Sequence, residues 1–232
     1  MNQQSRLYAV LTGDLVKSSK LSGDLSSEAM KWLRKASVDF TGLYPQSVIG
    51  KIDTFRHDSW QLLIGKPQLA LRAAVFFRAA LKKHSSGKIK YDTRIAVGIG
   101  TVEKIAASRI SDSRGIAFSL SGKCLDTTRD MRIAYQTSDD LRSLHRSISR
   151  VLVPLLDCVV SDWTPKESEA VWGALQGWTQ EEIAEKSPIN PKTGKSVTRQ
   201  AISIALERAH WGTVEMTLQY IESENSKLWS LQ

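Results

Sequence analysis

Two aspartates, Asp14 and Asp58, have the type and setting that metal-assisted chemistry requires. Asp14 follows the apolar run Leu7–Leu11 and the pair Thr12-Gly13, and Asp58 lies in a short turn between two apolar segments. Two carboxylates that converge beside a basic surface can bind Mg²⁺ or Mn²⁺, which neutralises a triphosphate and activates a hydroxyl for attack on phosphorus. Aspartate is also a common turn residue. The alternative is therefore that Asp14 caps a turn and Asp58 lies in an exposed hairpin.

The segments around these aspartates predict an α+β fold. Apolar residues at strand or helix spacing predict five strands and two long helices. In chain order these elements cover Leu7–Leu11, Asp24–Tyr44, Ser47–Asp53, Ser59–Ile64, Pro67–Lys83, Thr93–Gly98 and Met131–Tyr135. The order strand, helix, strand, strand, helix, strand is ferredoxin-like, with one sheet and its helices on one face. That arrangement places the end of the first strand beside the central hairpin, so Asp14 and Asp58 are expected to approach each other.

The charge of the chain favours partners that are rich in phosphate. The formal net charge is +8, with 41% hydrophobic and 24% charged residues, which is typical of a folded protein. Residues 1–160 hold 25 lysines and arginines against 14 acidic residues, whereas residues 161–232 hold 7 against 10. The basic excess therefore belongs to the first part of the chain.

The chain is expected to be cytoplasmic and to have no membrane partner. Its first residues are polar, unlike a signal peptide, and Arg72 and Arg78 interrupt the longest apolar stretch. Cys124 and Cys158 lie far apart in apolar settings, which is typical of reduced thiols.

A change of character near Trp163 predicts a two-part chain. Residues 1–137 form the expected α+β domain, residues 138–160 a connecting helix, and residues 161–232 a small all-α domain. The boundary is expected between Cys158 and Trp163.

Two stretches that carry the aspartates resemble class III nucleotide cyclases. The run Ala9–Ser19 resembles the first strand of that family, with Asp14 at the place of one metal-binding aspartate. The segment Lys51–Ile64 resembles the hairpin of the second metal-binding aspartate, for which Asp58 is the match. The resemblance implies a cyclase-like or polymerase-palm-like sheet that binds Mg²⁺ or Mn²⁺ through Asp14 and Asp58.

Two later stretches extend this resemblance but depart from it at key positions. Arg94–Gly100 resembles the next strand, and Gly115–Leu125 resembles the segment that carries a catalytic asparagine and arginine. Ser119 stands at the asparagine and Lys123 at the arginine, and lysine lacks the bidentate fork of arginine. These departures favour binding of a nucleotide over its turnover. The residues expected to bind the nucleotide are Lys17, Arg56, Ser119 and Lys123. Because class III cyclases complete their sites at a dimer interface, the resemblance also implies a homodimer.

Three short motifs are also similar to the SatD family of bacterial proteins. That family shows a TGD-type first strand, an arginine-glycine-aspartate-serine hairpin followed by an aromatic residue and glutamine, and a later GxAFxxSGxxLD segment. The matching stretches are Thr12-Gly13-Asp14, Arg56–Gln61 and Gly115–Asp126, and the similarity covers about residues 7–135. His57 replaces the glycine before the second aspartate, and its side chain would crowd the backbone where phosphates approach.

The last seventy residues predict a helix-turn-helix. Thr164-Pro165-Lys166-Glu167 and Thr179–Glu182 are helix starts, and the second resembles the segment before the turn in region four of sigma factors. Ser196–Arg208 then matches the recognition helix. The residues expected to contact DNA are Lys192, Lys195, Thr198, Arg199, Gln200 and Ser203. The alternative is a helical bundle for dimerisation or for docking onto the first domain, which the acidic balance of this part favours.

These features favour a DNA-binding regulator whose cyclase-like domain binds a nucleotide, a divalent metal or both. One alternative is a divergent metal-dependent nucleotide cyclase or nucleotidyl transferase with a scaffolding helical domain. Another is an interaction module that has lost both activities.

Overall fold

The computed structural model describes residues 6–55, 58–106, 108–138, 143–189 and 194–229. Its sheet contains β1 (Leu7–Leu15), β2 (Val48–Phe55), β3 (Ser59–Ile64), β4 (Thr93–Thr101) and β5 (Ile133–Thr137). The helices among these strands are α1 (Gly23–Leu43), α2 (Ala70–Lys82) and α3 (Ile116–Thr127). The chain continues through α4 (Ser143–Ser147), a π-helical turn (Ile148–Leu152), α5 (Val153–Asp162), α6 (Pro165–Leu175), α7 (Gln180–Lys186), α8 (Arg199–Arg208) and α9 (Trp211–Trp229).

The five strands lie in the order β2-β3-β1-β4-β5. Neighbouring strands are antiparallel except β4 and β5, which are parallel. The first four strands with α1 and α2 have the ferredoxin-like order, which confirms the predicted α+β class. The fifth strand extends the sheet, and α3 forms the crossover that two parallel strands require.

The helix α3 covers the face of the sheet opposite α1 and α2. Ala9 and Leu11 of β1 pack with α1 and α2, whereas Val10 between them packs against Ala117 of α3. The expectation that helices cover only one face is therefore wrong. At Gly98 of β4 a Cβ atom would lie 2.4 Å from the backbone oxygen of Ala117. Only glycine lets α3 approach the strand this closely.

The helix α2 is buried along its whole length. The sheet covers one side of it, and residues of α6 and α9 join the same apolar core from the other side. Arg72 pairs with Glu215 at 2.8 Å and with Glu222 at 2.6 Å, both in α9. Arg78, which is fully buried, pairs with Asp157 of α5 at 2.9 Å. Buried guanidinium groups require such partners, because an unpaired charge is costly inside a protein.

The helix predicted to connect the two parts changes to a π-helical turn just before Pro154. The backbone N–H of Val153 bonds to the oxygen of Ile148, five residues earlier. Proline has no N–H, and in an α-helix its ring clashes with the carbonyl four residues back, so a wider turn accommodates Pro154. Helix is present over Ser143–Asp162, and residues 139–142 of the predicted connecting helix lie outside the described residues.

Helices make up the described chain after Trp163. Reciprocal capping boxes start α6 (Thr164 with Glu167) and α7 (Thr179 with Glu182), which confirms both predicted helix starts. A small core joins α6, α7 and α8, formed by Ala170, Ile183, Ala184 and Ile202. The division near residues 137 and 160 stays a prediction, and so does the assignment of α7 and α8 as a helix-turn-helix. No helix in the described parts of the chain has the length and apolarity needed to cross a membrane.

Candidate functional site

Asp14 lies near the end of β1 and is the direct cross-strand neighbour of Arg94 on β4. Nε of Arg94 donates to Oδ1 of Asp14 at 2.8 Å, and Nη2 donates to Oδ2. The guanidinium thus contacts both carboxylate oxygens, which is the bidentate geometry of strong arginine–carboxylate pairs. The preceding residue, Gly13, leaves room for the ring of Trp60, from which a Cβ atom would lie only 2.5 Å away.

Asp58 lies at the same end of the sheet, one residue before β3. Ser59 pairs with Asp14 in the ladder, and the backbone N–H of Leu15 donates to the carbonyl oxygen of Asp58 at 2.9 Å. The Asp58 carboxylate accepts hydrogen bonds from the hydroxyls of Ser18 at 2.7 Å and of Ser59 at 3.2 Å. The backbone therefore places the two aspartates at neighbouring ends of β1 and β3, but their carboxylates have different hydrogen-bond partners.

Arg94 lies in the field of three carboxylates. Its hydrogen bond to Asp14 is the main cause that raises the pKa of Arg94 above its ordinary value, with burial opposing this and the charges of Asp14, Asp126 and Asp58 adding to it. Asp126 reaches this edge because α3 runs antiparallel to β4 and ends near it. The guanidinium therefore stays charged throughout the pH range in which the protein is folded.

A cleft of about 550 Å³ opens beside Asp58 at the amino-terminal end of α1. Its lining is rich in hydroxyl groups and comprises Ser18, Ser19, Leu21, Gly23, Ser26, Ser27 and Asp58. Ser22 caps α1, and its hydroxyl accepts from the N–H of Leu25 at 3.4 Å. The first N–H groups of a helix carry partial positive charge and favour anions. Serine hydroxyls, a helix start and the carboxylate of Asp58 therefore line the same cleft.

The residues at this edge do not fit a divalent cation as they are arranged. Mg²⁺ and Mn²⁺ require several oxygen ligands in near-octahedral geometry. Both oxygens of Asp14 are taken by Arg94, and those of Asp58 accept from Ser18 and Ser59. Within the described residues there is no group of three or more aspartate, glutamate, histidine or cysteine side chains that could hold a metal ion. The metal site at Asp14 and Asp58 stays a prediction.

Of the residues predicted to bind a nucleotide, the structure describes Lys17, Ser119 and Lys123, and these three lie on different elements. Lys17 is exposed beside the cleft and has a left-handed backbone with φ of 54°. Ser119 and Lys123 are exposed on the outer side of α3, while Ala117, Ser121 and Cys124 of α3 face the sheet. Arg56 and the neighbouring His57 lie outside the described residues.

The residues predicted to contact DNA lie at the exposed start of α8. Thr198 caps this helix by accepting from the N–H of Ala201 at 3.2 Å, and Gln200 and Ser203 are exposed. Nε of Arg199 lies 2.7 Å from Glu181 of α7, so an acidic partner already holds this side chain. Lys195 is exposed ahead of the helix, and Lys192 lies outside the described residues.

Sequence reasoning missed the serine-lined cleft and the pairing of Arg94 with Asp14. The serine-rich stretch from Ser18 to Ser27, which precedes and enters a predicted helix, was a signal for the cleft. No signal in the sequence indicates that Arg94 pairs with Asp14, because the register between β1 and β4 is not visible in it.

Comparison with known proteins gives low similarity. No protein-family model matches the chain, and no curated protein matches it in sequence. Among solved structures it is similar to an adenylate/guanylate cyclase/hydrolase from Silicibacter pomeroyi, with a TM-score of 0.44 and 20% identity over 63% of this chain and 81% of that one. A bacterial light-regulated adenylyl cyclase gives a TM-score of 0.42 at 14% identity, over 57% of this chain and 43% of that one. The guanylyl cyclase Cya2 gives 0.39 at 17% identity, over 54% and 72%. Similarity at this level does not indicate what this chain binds or does; only its own residues can.

Proposed function

We propose that the part of the chain up to β5 is a nucleotide-binding domain that holds phosphate groups in the cleft beside Asp58. One observation carries the proposal: the start of a 21-residue helix and the side chains of Ser19, Ser26 and Ser27 line one cleft at the end of the sheet, beside Ser18, which donates to Asp58. Hydroxyl groups and helix N–H groups are donors that suit phosphate oxygens. The sequence resemblance of the Asp14 and Asp58 segments to class III cyclases supports the same ligand class.

Phosphate binding in the cleft requires a positive charge close to Asp58. The carboxylate of Asp58 repels phosphate, so we expect the exposed Lys17, directly before Ser18, to offset this repulsion when a ligand binds. The proposed binding does not require Mg²⁺ or Mn²⁺, because Arg94 contacts both carboxylate oxygens of Asp14.

Nucleotide binding is tested by calorimetric titration with ATP and with GTP. Ser27→Glu adds a negative charge to the wall of the cleft and should weaken binding about tenfold or more, a loss of about 1.4 kcal/mol. The variant should fold, because Ser27 is exposed and glutamate is a good helix former. Val38→Glu is the matched control, since Val38 is 71% exposed on the same helix far from the cleft. Equal affinities in both variants would contradict the proposal.

Turnover is a separate candidate, with the chain as a divergent nucleotide cyclase or nucleotidyl transferase. Ser119 and Lys123 face solvent on α3, so they would have to act on the cleft of a second copy in a homodimer. The measurements that decide are the molar mass in solution and the formation of cyclic nucleotide from ATP or GTP. A monomer that forms no product would leave binding as the function of this domain.

A third candidate function is DNA binding by α8, favoured by its exposed first turn. Arg199→Ala should weaken retention of labelled duplex DNA, and Arg208→Ala, at the other end of the helix, is the control with the same loss of charge. Because Glu181 competes with phosphate for Arg199, Glu181→Gln should strengthen binding. Affinity that does not fall with salt would exclude this candidate.

A further inference from the structure

We infer that the guanidinium of Arg94 takes the place of a divalent cation at Asp14, so that this edge of the sheet works without Mg²⁺ or Mn²⁺. The inference deepens the proposed nucleotide-binding function and rests on it for the ligand, but its statement about metals stands on the Asp14–Arg94 pair alone. Cyclase-like sequence around two aspartates implies a metal, and the side chains present at the first of them imply a resident cation instead.

The backbone fixes this pair. Asp14 and Arg94 are direct cross-strand neighbours in the ladder of β1 and β4. Side chains at such positions stand on the same face of a sheet with their Cβ atoms about 4.5–5.5 Å apart. The register of the strands therefore keeps these two side chains within reach of each other. Strand β1 lies between β3 and β4, so its register is held from both sides.

The pair also occupies the Asp14 carboxylate, which a metal would need as a ligand. Arg94 contacts both oxygens of Asp14, so a cation could bind this carboxylate only after the guanidinium had left. A lysine could lose its proton to make way, but an arginine keeps its charge at any pH at which proteins fold. An approaching Mg²⁺ would also be repelled by that charge.

As long as the guanidinium of Arg94 lies among them, the other carboxylates nearby do not form an alternative metal site. Asp58 and Asp126 both contribute to the field at the guanidinium. Asp58 is engaged by the hydroxyls of Ser18 and Ser59, and Asp126 is exposed on α3. One fixed positive charge therefore lies among three carboxylates, where a metal-dependent site would need the carboxylates to be free.

The inference is tested by titrating Mn²⁺ alone and measuring both the unfolding midpoint and free Mn²⁺ by electron paramagnetic resonance. Wild type should show no bound Mn²⁺ and no shift. Arg94→Gln should gain a site, with a rise of about 3–6 °C at a Mn²⁺ concentration tenfold above its Kd. The gain should disappear in the double variant Arg94→Gln with Asp14→Asn. Arg109→Gln is the matched control, because Arg109 is exposed and its nearest carboxylates lie 3.9 Å away.

Two outcomes would overturn the inference. One is Mn²⁺ binding by wild type that is lost in Asp14→Asn, which would show that Arg94 yields to a metal. The other is a folded Arg94→Gln that gains no Mn²⁺ site. If Arg94→Gln does not fold, Arg94→Lys replaces it in the titration, because lysine keeps a positive charge but frees one oxygen of Asp14. The titration of wild type with Mn²⁺ then still tests whether Arg94 excludes the metal.

Titration with ATP or GTP, in EDTA and in Mg²⁺, distinguishes a failure of this inference from a failure of the proposed function. If wild type binds ATP or GTP equally well in EDTA and in Mg²⁺, both stand. If the affinity rises with Mg²⁺ and this rise is lost in Asp14→Asn, the inference is wrong but the nucleotide proposal survives. If neither nucleotide binds under either condition, the nucleotide proposal fails, and the Mn²⁺ titration alone judges the role of Arg94.

Discussion

Nη1 of Arg78 in α2 lies 2.9 Å from Oδ1 of Asp157 in α5, and the arginine side chain has no exposed surface. The same carboxylate accepts from the backbone N–H groups of Arg132 and Ile133 at the start of β5, each at 2.9 Å. Asp157 therefore links α2, α5 and the start of β5 at one point.

Asp157→Ala should lower the free energy of unfolding by about 2–4 kcal/mol, because the backbone N–H groups of Arg132 and Ile133 lose their acceptor and the buried Arg78 is left with Asp92, at 2.7 Å, as its carboxylate partner. Denaturant unfolding followed by circular dichroism measures this loss. Asp162→Ala, which removes an exposed carboxylate at the end of the same helix, should change stability by less than about 0.5 kcal/mol. Similar losses in the two variants would show that the pairing contributes little.

The double variant Glu215→Ala with Glu222→Ala should loosen α9. It removes both carboxylates from Arg72, whose side chain is 7% exposed. A buried, unpaired guanidinium is costly, so the α9 amides should exchange hydrogen faster and the unfolding midpoint should fall. Glu207→Ala, at an exposed position of α8, is the control. Unchanged exchange in α9 would argue that apolar contacts alone hold this helix.

Gly98→Ala should destabilise the protein by about 1–3 kcal/mol, because the new methyl group meets the backbone of α3 and the helix has to move. Gly122→Ala is a control in α3 itself, where a Cβ atom meets nothing within 4 Å. That change should stabilise the protein by up to about 1 kcal/mol, since alanine is the better helix former. Thermal unfolding of both variants checks the two opposite signs.

Acidification from about pH 6.5 to pH 4 should destabilise the protein through His84. Burial against Trp32, with a smaller contribution from the charge of Lys83, lowers the pKa of His84 from 6.5 to about 4. A depressed folded-state pKa means that the unfolded chain binds more protons, so stability is full above pH 6.5 and is lost as the pH falls towards 4. The loss is at most about 3 kcal/mol.

The contribution of His84 is isolated by comparing wild type with His84→Phe, which keeps an aromatic ring against Trp32. The pH dependence of the unfolding free energy should become shallower in this variant. His145, whose pKa burial also lowers, should remain as a smaller source of the same dependence. An unaltered pH profile in His84→Phe would refute the assignment.

Local patterns in the sequence predict most strands and helices but not where β1 ends. The pattern stops the first strand at Leu11, because Thr12-Gly13-Asp14 has the composition of a turn. The strand runs on to Leu15, since β3 and β4 hydrogen-bond to it on both sides through these residues. Asp14 was thus predicted at the correct end of the sheet, but within a strand rather than in a turn.

The features that sequence patterns did not predict are set by distant contacts. The segment Ile116–Thr127 contains three polar small residues and a glycine, and its helix is fixed by packing on Gly98 and by the hydrogen bond between Thr12 and Ser121. The partner of Asp14 depends on strand register, which no single segment encodes. The proximity of the two aspartates could be predicted, but the cation beside the first of them could not.

The burial of α2 between the sheet and the C-terminal helices has a consequence for any attempt to study the two parts separately. A fragment that ends at Asp162 would leave the apolar and charged positions of α2 uncovered, including Arg72 without its carboxylates, and such a fragment is expected to aggregate. The intact chain should therefore melt in a single cooperative transition, with α2 as the element that both parts share.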